Sequence, residues 1–381
     1  TTFESKLRMP NTGLYMIQSE SSNKRVYHNV LAVRNSSTTS NDQVCIAGRQ
    51  ASATTTGEFE DAPDRKQHLD YFWQVEKVDG GYTFRNIFNG LYLSRDDKKK
   101  QRAMMLSETP YVFKVEFINF PGAFRFVSTD PTEDNYPYVN ADPSSKTIVT
   151  WLAAKENDNS AFSFQPVEAD QLKEILENGF SYTLAAKEGF QFITLPIDAE
   201  FDADENNGNF YTVIGQNADT KDVVLKAVGD KKLKAGQGYV FKPGTQNKGT
   251  VTLFTTTKDI KDLKPTNKPT DPVNGLYGTF DFVQLPENNG QFSPDRSKVV
   301  LSEQGDKAAP NTGYFGKLPE TTENGDLLIP ANQIITLIKT GVLAPAHKTK
   351  GTFTLSGVRV DDVKNLPAGI YVINGHKVIV K

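Results

Sequence analysis

Three short stretches begin with glycine and continue with aromatic and aliphatic residues: GLYMI at 13–17, GYTF at 81–84 and GAFRF at 122–126. Each is followed, after a loop, by a stretch that combines an aromatic residue with Val or Phe: FWQV at 72–75, VFKV at 112–115 and AFSF at 161–164. Internal repetition of this kind indicates a unit that cannot bury its apolar face alone. We expect three units of roughly 40–50 residues to close into one barrel-like body, which removes exposed strand edges.

Most of the remaining chain also predicts short strands. Strand-forming residues recur in stretches such as TVTLF at 250–254 and IYVI at 370–373. Between them stand Asn-Gly pairs, which begin at residues 89, 207, 274, 289, 324 and 374. Glycine supplies the positive φ that tight hairpin turns require. The pattern therefore predicts a chain that is mostly β.

Two segments depart from this pattern and predict helices. In the first, from Glu168 to Asn178, leucine and isoleucine recur at helical spacing, and Gly179 follows as a C-cap. The second and weaker segment runs from Ala331 to Thr340. Because the first helix directly follows the third repeat, we expect it to be the spacer that ends the first domain.

Composition argues against several classes of function. With 43 basic and 46 acidic residues the net charge is −3, so no overall basic field attracts nucleic acid. The single cysteine, Cys45, precludes an internal disulfide and is expected to be a small buried residue. No stretch approaches the roughly 20 consecutive apolar residues of a membrane-spanning helix. We therefore predict neither a nucleic-acid partner nor a transmembrane segment.

Candidate catalytic and metal-binding residues are few. A glycosidase needs two carboxylates on opposite sides of a cleft, whereas Asp202, Asp204 and Glu205 lie together in one Asn-Gly-rich loop. That loop matches part of a calcium-binding loop, but Val213 stands where an EF-hand has its final Glu. The four histidines are scattered without the spacing of metal ligands. We predict a protein that is not an enzyme and holds neither metal nor cofactor.

The three-fold pattern of residues 11–167 resembles the ricin-B-type β-trefoil lectins. It matches them in the number of repeats, in the glycine-led first strands and in the aromatic closing strands. The Gln-x-Trp signature of that family is degraded: Trp73, Phe113 and Phe162 stand where the repeated Trp belongs, and no repeat has the Gln two places earlier. The resemblance implies a β-trefoil fold and, through it, a lectin-like, carbohydrate-binding activity.

The expected architecture is all-β and multi-domain. Residues 1–167 are expected to form the β-trefoil, 168–180 a linker helix, 181–345 a β-sandwich-like domain, and 350–381 a small C-terminal β unit. The middle region resembles β domains that recur in secreted proteins of the Bacteroidota. That resemblance implies no activity.

The last 31 residues are similar to the short C-terminal segments of exported Bacteroidota proteins, some of which serve type IX secretion. Those segments contain Gly-Ile-Tyr, hydrophobic residues, Asn-Gly and Lys-Val before a terminal lysine, which corresponds here to residues 369–381. The resemblance implies a secreted or cell-surface, Bacteroides-like protein attached at the outer membrane. The same residues also make an ordinary terminal hairpin with an Asn-Gly turn, which is the alternative interpretation.

The third repeat contains the residue types that such lectins use to bind a sugar. In that family an aromatic ring stacks on the apolar face of the sugar, while a carboxylate or amide binds its hydroxyl groups. The resemblance places Trp151 at the stacking position. It assigns the surrounding positions to Tyr138, Asn140, Asp142, Asn157 and Asn159. Asn and Asp are also common turn residues, and a Trp that caps the barrel is the structural alternative.

The other two repeats offer less for a sugar. Met105 and Leu106 are expected at the stacking position of the second repeat, and VCI at 44–46 at that of the first. The first repeat also carries a Ser/Thr/Asn-rich insertion from Asn35 to Thr56. We expect a non-catalytic surface protein that binds a glycan or glycoprotein weakly through its third repeat. The alternative is a protein-binding or structural surface protein (adhesin, adaptor or inhibitor) that uses trefoil loops and has no sugar site.

Overall fold

The computed structural model describes residues 9–33, 44–47, 67–96, 98–99, 101–118, 123–129, 136–152, 158–331, 333–335, 352–354, 359–360, 369–373 and 376–380. Within them the protein is nearly all β, with strands in six sheets and one α-helix. This confirms the fold class expected from the sequence. Contacts divide the chain into two units, Thr1–Leu337 and Ile338–Lys381.

The first sheet contains twelve strands drawn from the three repeats. Their bounds are β1 Gly13–Ser19, β2 Val30–Val33, β3 Val44–Ala47, β4 Phe72–Val78, β5 Gly81–Asn86, β6 Tyr92–Arg95, β7 Met104–Ser107, β8 Phe113–Ile118, β9 Ala123–Ser128, β10 Tyr138–Ala141, β11 Ile148–Trp151 and β12 Phe162–Pro166. Two 3₁₀-helices, Leu69–Tyr71 and Asp158–Ser160, precede β4 and β12.

Six of these strands close a barrel. β1 pairs with β4, β4 with β5, β5 with β8, β8 with β9, β9 with β12, and β12 returns to β1, every pair being antiparallel. The remaining strands form three hairpins, β2–β3, β6–β7 and β10–β11. The same four-strand unit thus occurs three times, which is the strand order of a β-trefoil. Closure leaves none of the six barrel strands as a sheet edge.

The register identifies equivalent residues in the three repeats. Across the pairs of opening and closing strands, Tyr15 is opposite Trp73, Tyr82 opposite Phe113, and Phe124 opposite Phe162. Trp73, Phe113 and Phe162 are therefore equivalent, as the sequence pattern predicts, and all three are fully buried. Each repeat contributes one large ring to a common core that a single repeat could not close alone.

A helix follows the barrel, as the sequence predicts. α1 spans Ala169–Asn178 and ends at Gly179, whose φ is 91°. Ile175 and Leu176 are buried, so the apolar stripe of the helix faces the core. Glycine is required at the cap, because a Cβ there would lie 2.7 Å from the carbonyl oxygen of Leu253.

The middle region contains fifteen further strands. Their bounds are β13 Phe180–Thr183, β14 Gln191–Thr194, β15 Ala199–Phe201, β16 Gly208–Gln216, β17 Val223–Ala227, β18 Lys232–Leu233, β19 Gly238–Pro243, β20 Thr250–Thr255, β21 Leu276–Thr279, β22 Val283–Gln284, β23 Gly290–Phe292, β24 Val299–Leu301, β25 Lys307–Ala308, β26 Thr312–Phe315 and β27 Leu327–Ile329. A 3₁₀-helix spans Ile260–Asp262.

These strands form four sheets. Two have the orders β13-β20-β15-β18 and β14-β19-β16-β17-β27. The other two have the orders β21-β26-β23-β24 and β22-β25. Buried residues of β16, β17 and β19 share a hydrophobic cluster with residues of β21, β24 and β26, so the sheet that contains β21 packs onto the sheet that contains β16.

The prediction of a second helix at 331–340 is wrong over the part that the structure describes. Ala331 forms a parallel bridge with Val299, and residues 333–335 are not helical. The backbone N–H of Ile335 donates to the side-chain oxygen of Gln216 at 2.9 Å, and the Ile335 side chain is buried. Tertiary contacts with β16 thus replace the local hydrogen bonds of a helix.

The barrel and the middle region share one hydrophobic core. The ring centroid of Phe88, a barrel residue just after β5, lies 6.0 Å from that of Phe180 and 6.3 Å from that of Tyr182. All three side chains are buried. The segments on either side of α1 are therefore packed against each other and not merely joined by the chain.

The C-terminal unit is one small antiparallel sheet. Its strands are β28 Thr352–Thr354, β29 Arg359–Val360, β30 Gly369–Ile373 and β31 His376–Val380, in the order β29-β28-β30-β31. β30 and β31 pair along their whole length, with Ile373 opposite His376. The terminal hairpin suggested by the sequence is thus formed.

Candidate functional site

Two aromatic residues of the third repeat face each other across a hairpin. Tyr138 begins β10 and is opposite Trp151, the last residue of β11. Directly opposite residues of an antiparallel pair share one face of the sheet, with Cβ atoms about 4.5–5.5 Å apart. Both side chains are half-buried, so part of each remains open to solvent. The structure thus brings together the two aromatic residues of the site predicted from the sequence.

Arg125 and Glu116 extend this pair of rings. The guanidinium carbon of Arg125, on β9, lies 4.4 Å from the centre of the Tyr138 ring, which is a cation–π geometry. Nε and Nη2 of Arg125 each lie 3.0 Å from Oε2 of Glu116, on β8. Glu116, Arg125, Tyr138 and Trp151 therefore form a row across four neighbouring strands, which we call the third-repeat row.

The two charged members of the third-repeat row were not predicted from the sequence. Glu116 and Arg125 are opposite each other in the β8–β9 pair, and β10 joins through Tyr138 opposite Val127. A single sequence does not specify this register. The available signal was alternation, because a charged residue between buried neighbours in a strand points to the solvent-facing side.

Asn140 is buried and serves the fold. Its side chain is 2% exposed, and its Nδ2 donates to the hydroxyl of Ser160 at 3.0 Å. This hydrogen bond ties β10 to the 3₁₀-helix that precedes β12. A ligand would have to displace both Ser160 and the surrounding cover to reach the amide, so the position does not suit the sugar contact expected from the sequence.

Asp142 organises the hairpin turn. Its carboxylate accepts hydrogen bonds from the backbone N–H of Ser144 and the hydroxyl of Ser145, at 2.9 and 2.7 Å. Nη2 of Arg102, from the second repeat, lies 3.1 Å from Oδ2 of Asp142. Burial raises the pKa of this carboxyl, but the hydrogen bonds and the Arg102 charge outweigh burial and hold the pKa below its usual range. The carboxylate is thus ionised at neutral pH and engaged by protein groups.

Asn159 joins the third repeat to the first. Its Oδ1 accepts a hydrogen bond from the hydroxyl of Ser21, and the neighbouring Asp158 accepts one from the backbone N–H of Ser22 at 2.8 Å. Asn159 is half-buried, so it lies near the surface while it makes this contact. Asn157, also predicted as a site residue, lies outside the described residues.

The two tryptophans differ in how their N–H groups are satisfied. Trp73 is fully buried and donates to the carbonyl oxygen of Leu31 at 3.0 Å. Nε1 of Trp151 is shielded from solvent and makes no hydrogen bond to any residue that the structure describes. A buried donor without an acceptor costs about 1–3 kcal/mol. Trp73 is therefore a satisfied core residue, whereas Trp151 is a half-exposed ring with an unmet donor.

The register corrects the equivalent positions in the other repeats. The pair Tyr138–Trp151 corresponds to Tyr92–Ser107 in the β6–β7 hairpin and to Val30–Ala47 in the β2–β3 hairpin. The sequence pattern predicts Met105 and Leu106, and residues 44–46, at the stacking position. It was off by one or more residues because hairpin lengths differ. Of the three hairpins, the third alone has rings at both positions.

Candidate ion ligands do not converge in the part of the chain that the structure describes. No three His, Cys, Asp or Glu side chains there form a group that could hold a metal ion. Asp204, from the loop that matches part of a calcium site, accepts backbone N–H bonds from Asn206 and Asn207 at 2.8 and 2.7 Å. Its carboxylate therefore organises a turn. No helix among the described residues is long and apolar enough to cross a membrane.

Comparison with known proteins gives structural neighbours only. No protein family matches the chain, and no curated protein matches it. A lectin from Polyporus squamosus superposes with a TM-score of 0.30 and 17% identity over 46% of this chain and 52% of the lectin. A ricin B-like lectin from Macrolepiota procera gives 0.29 and 15% identity over 42% of this chain and 99% of the lectin.

An enzyme is also among the structural neighbours. A GlcNAcα1-4Gal-releasing endo-β-galactosidase from Clostridium perfringens gives a TM-score of 0.28 and 17% identity, over 41% of this chain and 32% of the enzyme. The chain thus spans about half the length of the Polyporus lectin (52%) and a third of the enzyme (32%). TM-scores this low do not establish a shared fold, so the barrel is identified from the strand pairings alone.

Proposed function

We propose that this chain is a non-catalytic, exported or cell-surface protein that binds a glycan or glycoconjugate weakly through the third repeat of its β-trefoil. The observation that carries the proposal is the Tyr138–Trp151 pair. It is half-exposed, lies on one face of a hairpin, and has no two-ring counterpart in the other two hairpins. Export rests on the similarity of residues 350–381 to C-terminal segments of exported proteins.

The chemistry of the third-repeat row suits a saccharide. A sugar ring presents C–H groups on one face and hydroxyl groups around its edge. The indole of Trp151 offers a flat apolar surface for that face. Arg125 covers one side of Tyr138, so the tyrosine contributes its edge and hydroxyl. Arg125 and Glu116 then supply donors and acceptors for sugar hydroxyls.

The remaining predicted residues have a supporting role in this proposal. Asp142 fixes the turn between β10 and β11, and thereby the spacing of the two rings. Asn159 holds the loop before β12 against the first repeat. Neither side chain has to leave its partners for a ligand to reach the third-repeat row.

Binding at such a site is expected to be weak. Few ring contacts and solvent-competed hydrogen bonds leave little net free energy, so we expect a Kd on the order of 1 mM, about −4 kcal/mol. Useful avidity then requires multivalent display on a surface. A glycan array with densely immobilised ligands is therefore the appropriate first screen.

Replacing Trp151 tests the site directly. We expect Trp151→Ala to weaken binding of the strongest array ligand by about tenfold or more, because the stacking surface is removed. Tyr92→Ala is the matched control, since Tyr92 has the same position in the second repeat but faces Ser107. It is expected to bind like the wild type. Titration of each purified chain, followed by NMR chemical shifts, measures the three affinities.

Two outcomes would contradict the proposal. Equal affinity of the wild type and Trp151→Ala would place glycan binding elsewhere. The absence of any array ligand, together with a protein partner that is lost on deletion of residues 35–56, would favour the protein-binding alternative. Circular dichroism of each variant shows whether the barrel is intact.

A further inference from the structure

A concave site lies in the middle region and shares no residue with the third-repeat row. A cavity of about 200 Å³ opens between β14 and strands β23, β25 and β26, which belong to three different sheets. Phe192 and Phe292 form its aromatic wall, with ring centroids 4.2 Å apart. An apolar cavity of about 150 Å³ can take up benzene. This cavity therefore has room for one six-membered ring with a small substituent.

Arg296 contributes a cation to the cavity lining. Its side chain is half-buried, and its guanidinium makes no hydrogen bond or ion pair within the part of the chain that the structure describes. Burial lowers the pKa of Arg296, as expected when a cation loses water without gaining a counter-charge. Lys307, exposed on the same lining, also has no acidic partner among the described residues.

The nearby carboxylates are held by other groups. Asp306 accepts a hydrogen bond from the side chain of Gln291. Asp295 accepts hydrogen bonds from the hydroxyls of Ser293 and Ser297, at 2.5 and 2.8 Å. Neither aspartate lines the cavity. The charged side chains that do line it, Arg296 and Lys307, are both positive.

The backbone of Arg296 is held in a conformation that arginine rarely adopts. Its φ is 57°, a left-handed conformation that is uncommon for residues other than glycine and asparagine. The N–H of Arg296 donates to Ser293 at 2.8 Å, and its carbonyl oxygen accepts from the N–H of Phe190 at 2.9 Å. Gly189 gives it room, because a Cβ there would lie 2.4 Å from Arg296 Cβ. Backbone strain that is fixed in this way clusters at ligand sites.

The polar side chains around the cavity are mostly engaged already. Gln191 accepts from the N–H of Ala185 at 2.9 Å and donates to the carbonyl of Ala186 at 2.7 Å. The hydroxyl of Thr312 donates to the carbonyl of Ala309 at 2.6 Å. A sugar needs a partner for each of several hydroxyls, and the lining offers few. What it does offer is an aromatic wall and, in the same lining, Arg296, whose guanidinium has no partner among the described residues.

We propose that this cavity binds a small aromatic carboxylate. The ring packs against Phe192 and Phe292, and the carboxylate pairs with Arg296, which presents a planar fork of donors matched to its two oxygens. Lys307 adds a second positive charge at the rim. The proposal does not depend on the third-repeat row, so either site can fail without the other.

Benzoate is the probe for this site. We expect benzoate to bind the full chain and to shift NMR signals of residues lining the cavity, and Arg296→Asn to weaken this binding by about tenfold or more. Asparagine tolerates the left-handed backbone, so the variant is expected to unfold at no lower a temperature than the wild type. Arg102→Asn is the matched control, because Arg102 also has a φ of 57° but pairs with Asp142 in the barrel.

Three results would overturn the assignment. Benzoate binding that is unchanged in Arg296→Asn would remove the role of the guanidinium. If benzyl alcohol bound as tightly as benzoate, the negative charge of the carboxylate would not contribute to binding. If glucuronate bound more tightly than benzoate, the ligand class of the cavity would be acidic sugars and not aromatic carboxylates. Should Arg296→Asn fail to fold, Lys307→Gln, at an exposed position, is expected to weaken benzoate binding a few-fold, and unchanged binding would count against the site.

Discussion

Glu20 links the first and third repeats through a largely buried hydrogen-bond cluster. Its Oε1 accepts from Gln18 Nε2 at 2.9 Å and from the hydroxyl of Ser163, and its Oε2 lies 3.3 Å from Nε2 of His28. Burial raises the pKa of Glu20, but the contacts with His28, Ser163 and Gln18 outweigh burial. The pKa of this carboxyl in the folded protein therefore lies below its ordinary value of 4.5.

This pKa shift predicts an acid-sensitive contribution to stability. A lowered folded-state pKa gives stability that is complete above the unfolded value, near pH 4.5, and is lost as the pH falls through the folded value. We expect the free energy of unfolding to fall less steeply below pH 4.5 in Glu20→Gln than in the wild type, as measured by urea denaturation. Glu188→Gln, at an exposed loop position, should follow the wild type. Parallel profiles for Glu20→Gln and the wild type would refute this role.

At the same scale, residue type alone did not separate ligand contacts from structural contacts. Asp142 and Asn159 were predicted as sugar contacts, and both instead bind neighbouring repeats, through Arg102 and Ser21. Amide and carboxylate groups meet either need with the same chemistry. That Trp151 and Tyr138 lie together at the surface was predictable, because turn formation does not explain two large rings in one hairpin. Their contact with a sugar stays a prediction.

The strands show which glycines the repeats require. A Cβ on Gly81, which opens β5, would lie 2.2 Å from the carbonyl oxygen of Phe113. A Cβ on Gly13, which opens β1, would meet nothing nearer than 3.4 Å, the ring of Tyr15. Gly122, the third opening glycine, lies outside the described residues. The shared sequence pattern thus conceals a steric requirement at Gly81 that Gly13 lacks.

Two alanine variants test this difference. We expect Gly81→Ala to lower the free energy of unfolding by about 1–3 kcal/mol, because the barrel must shift to admit the Cβ. Gly13→Ala should change it by no more than about 0.5 kcal/mol. Denaturant titration of both variants measures the two effects, and equal losses would mean that the close approach at Gly81 is not what selects glycine.

Elements were predictable where local pattern decides them. The barrel strands follow from repeated aromatic and aliphatic stretches, and α1 follows from its apolar spacing and its glycine cap. The register of the strands was not predictable, because it depends on which residue of another strand lies opposite. In the second hairpin, for example, the residue at the stacking position is Ser107. In place of the helix predicted at 331–340, the described Ala331 forms a bridge with Val299. No local sequence pattern encodes this contact.

The whole molecule combines a repeated barrel with sites that its repeats do not share. Three-fold repetition was predictable because one repeat cannot close a core alone. The cavity in the middle region was not, because its wall brings together Phe192 and Phe292, which lie far apart in the sequence. The shared core around Phe88 and Tyr182 likewise depends on contacts across the expected domain boundary.

The two tryptophans allow a single measurement to locate glycan binding within the molecule. In a ¹⁵N-labelled chain titrated with the strongest array ligand, Trp73 provides an internal reference, because its indole is fully buried and bonded to Leu31. We expect the indole signal of Trp151 to move to saturation while that of Trp73 stays in place. A Trp151 signal that remains still while the glycan binds, or two signals that move together, would contradict a binding surface on the third repeat.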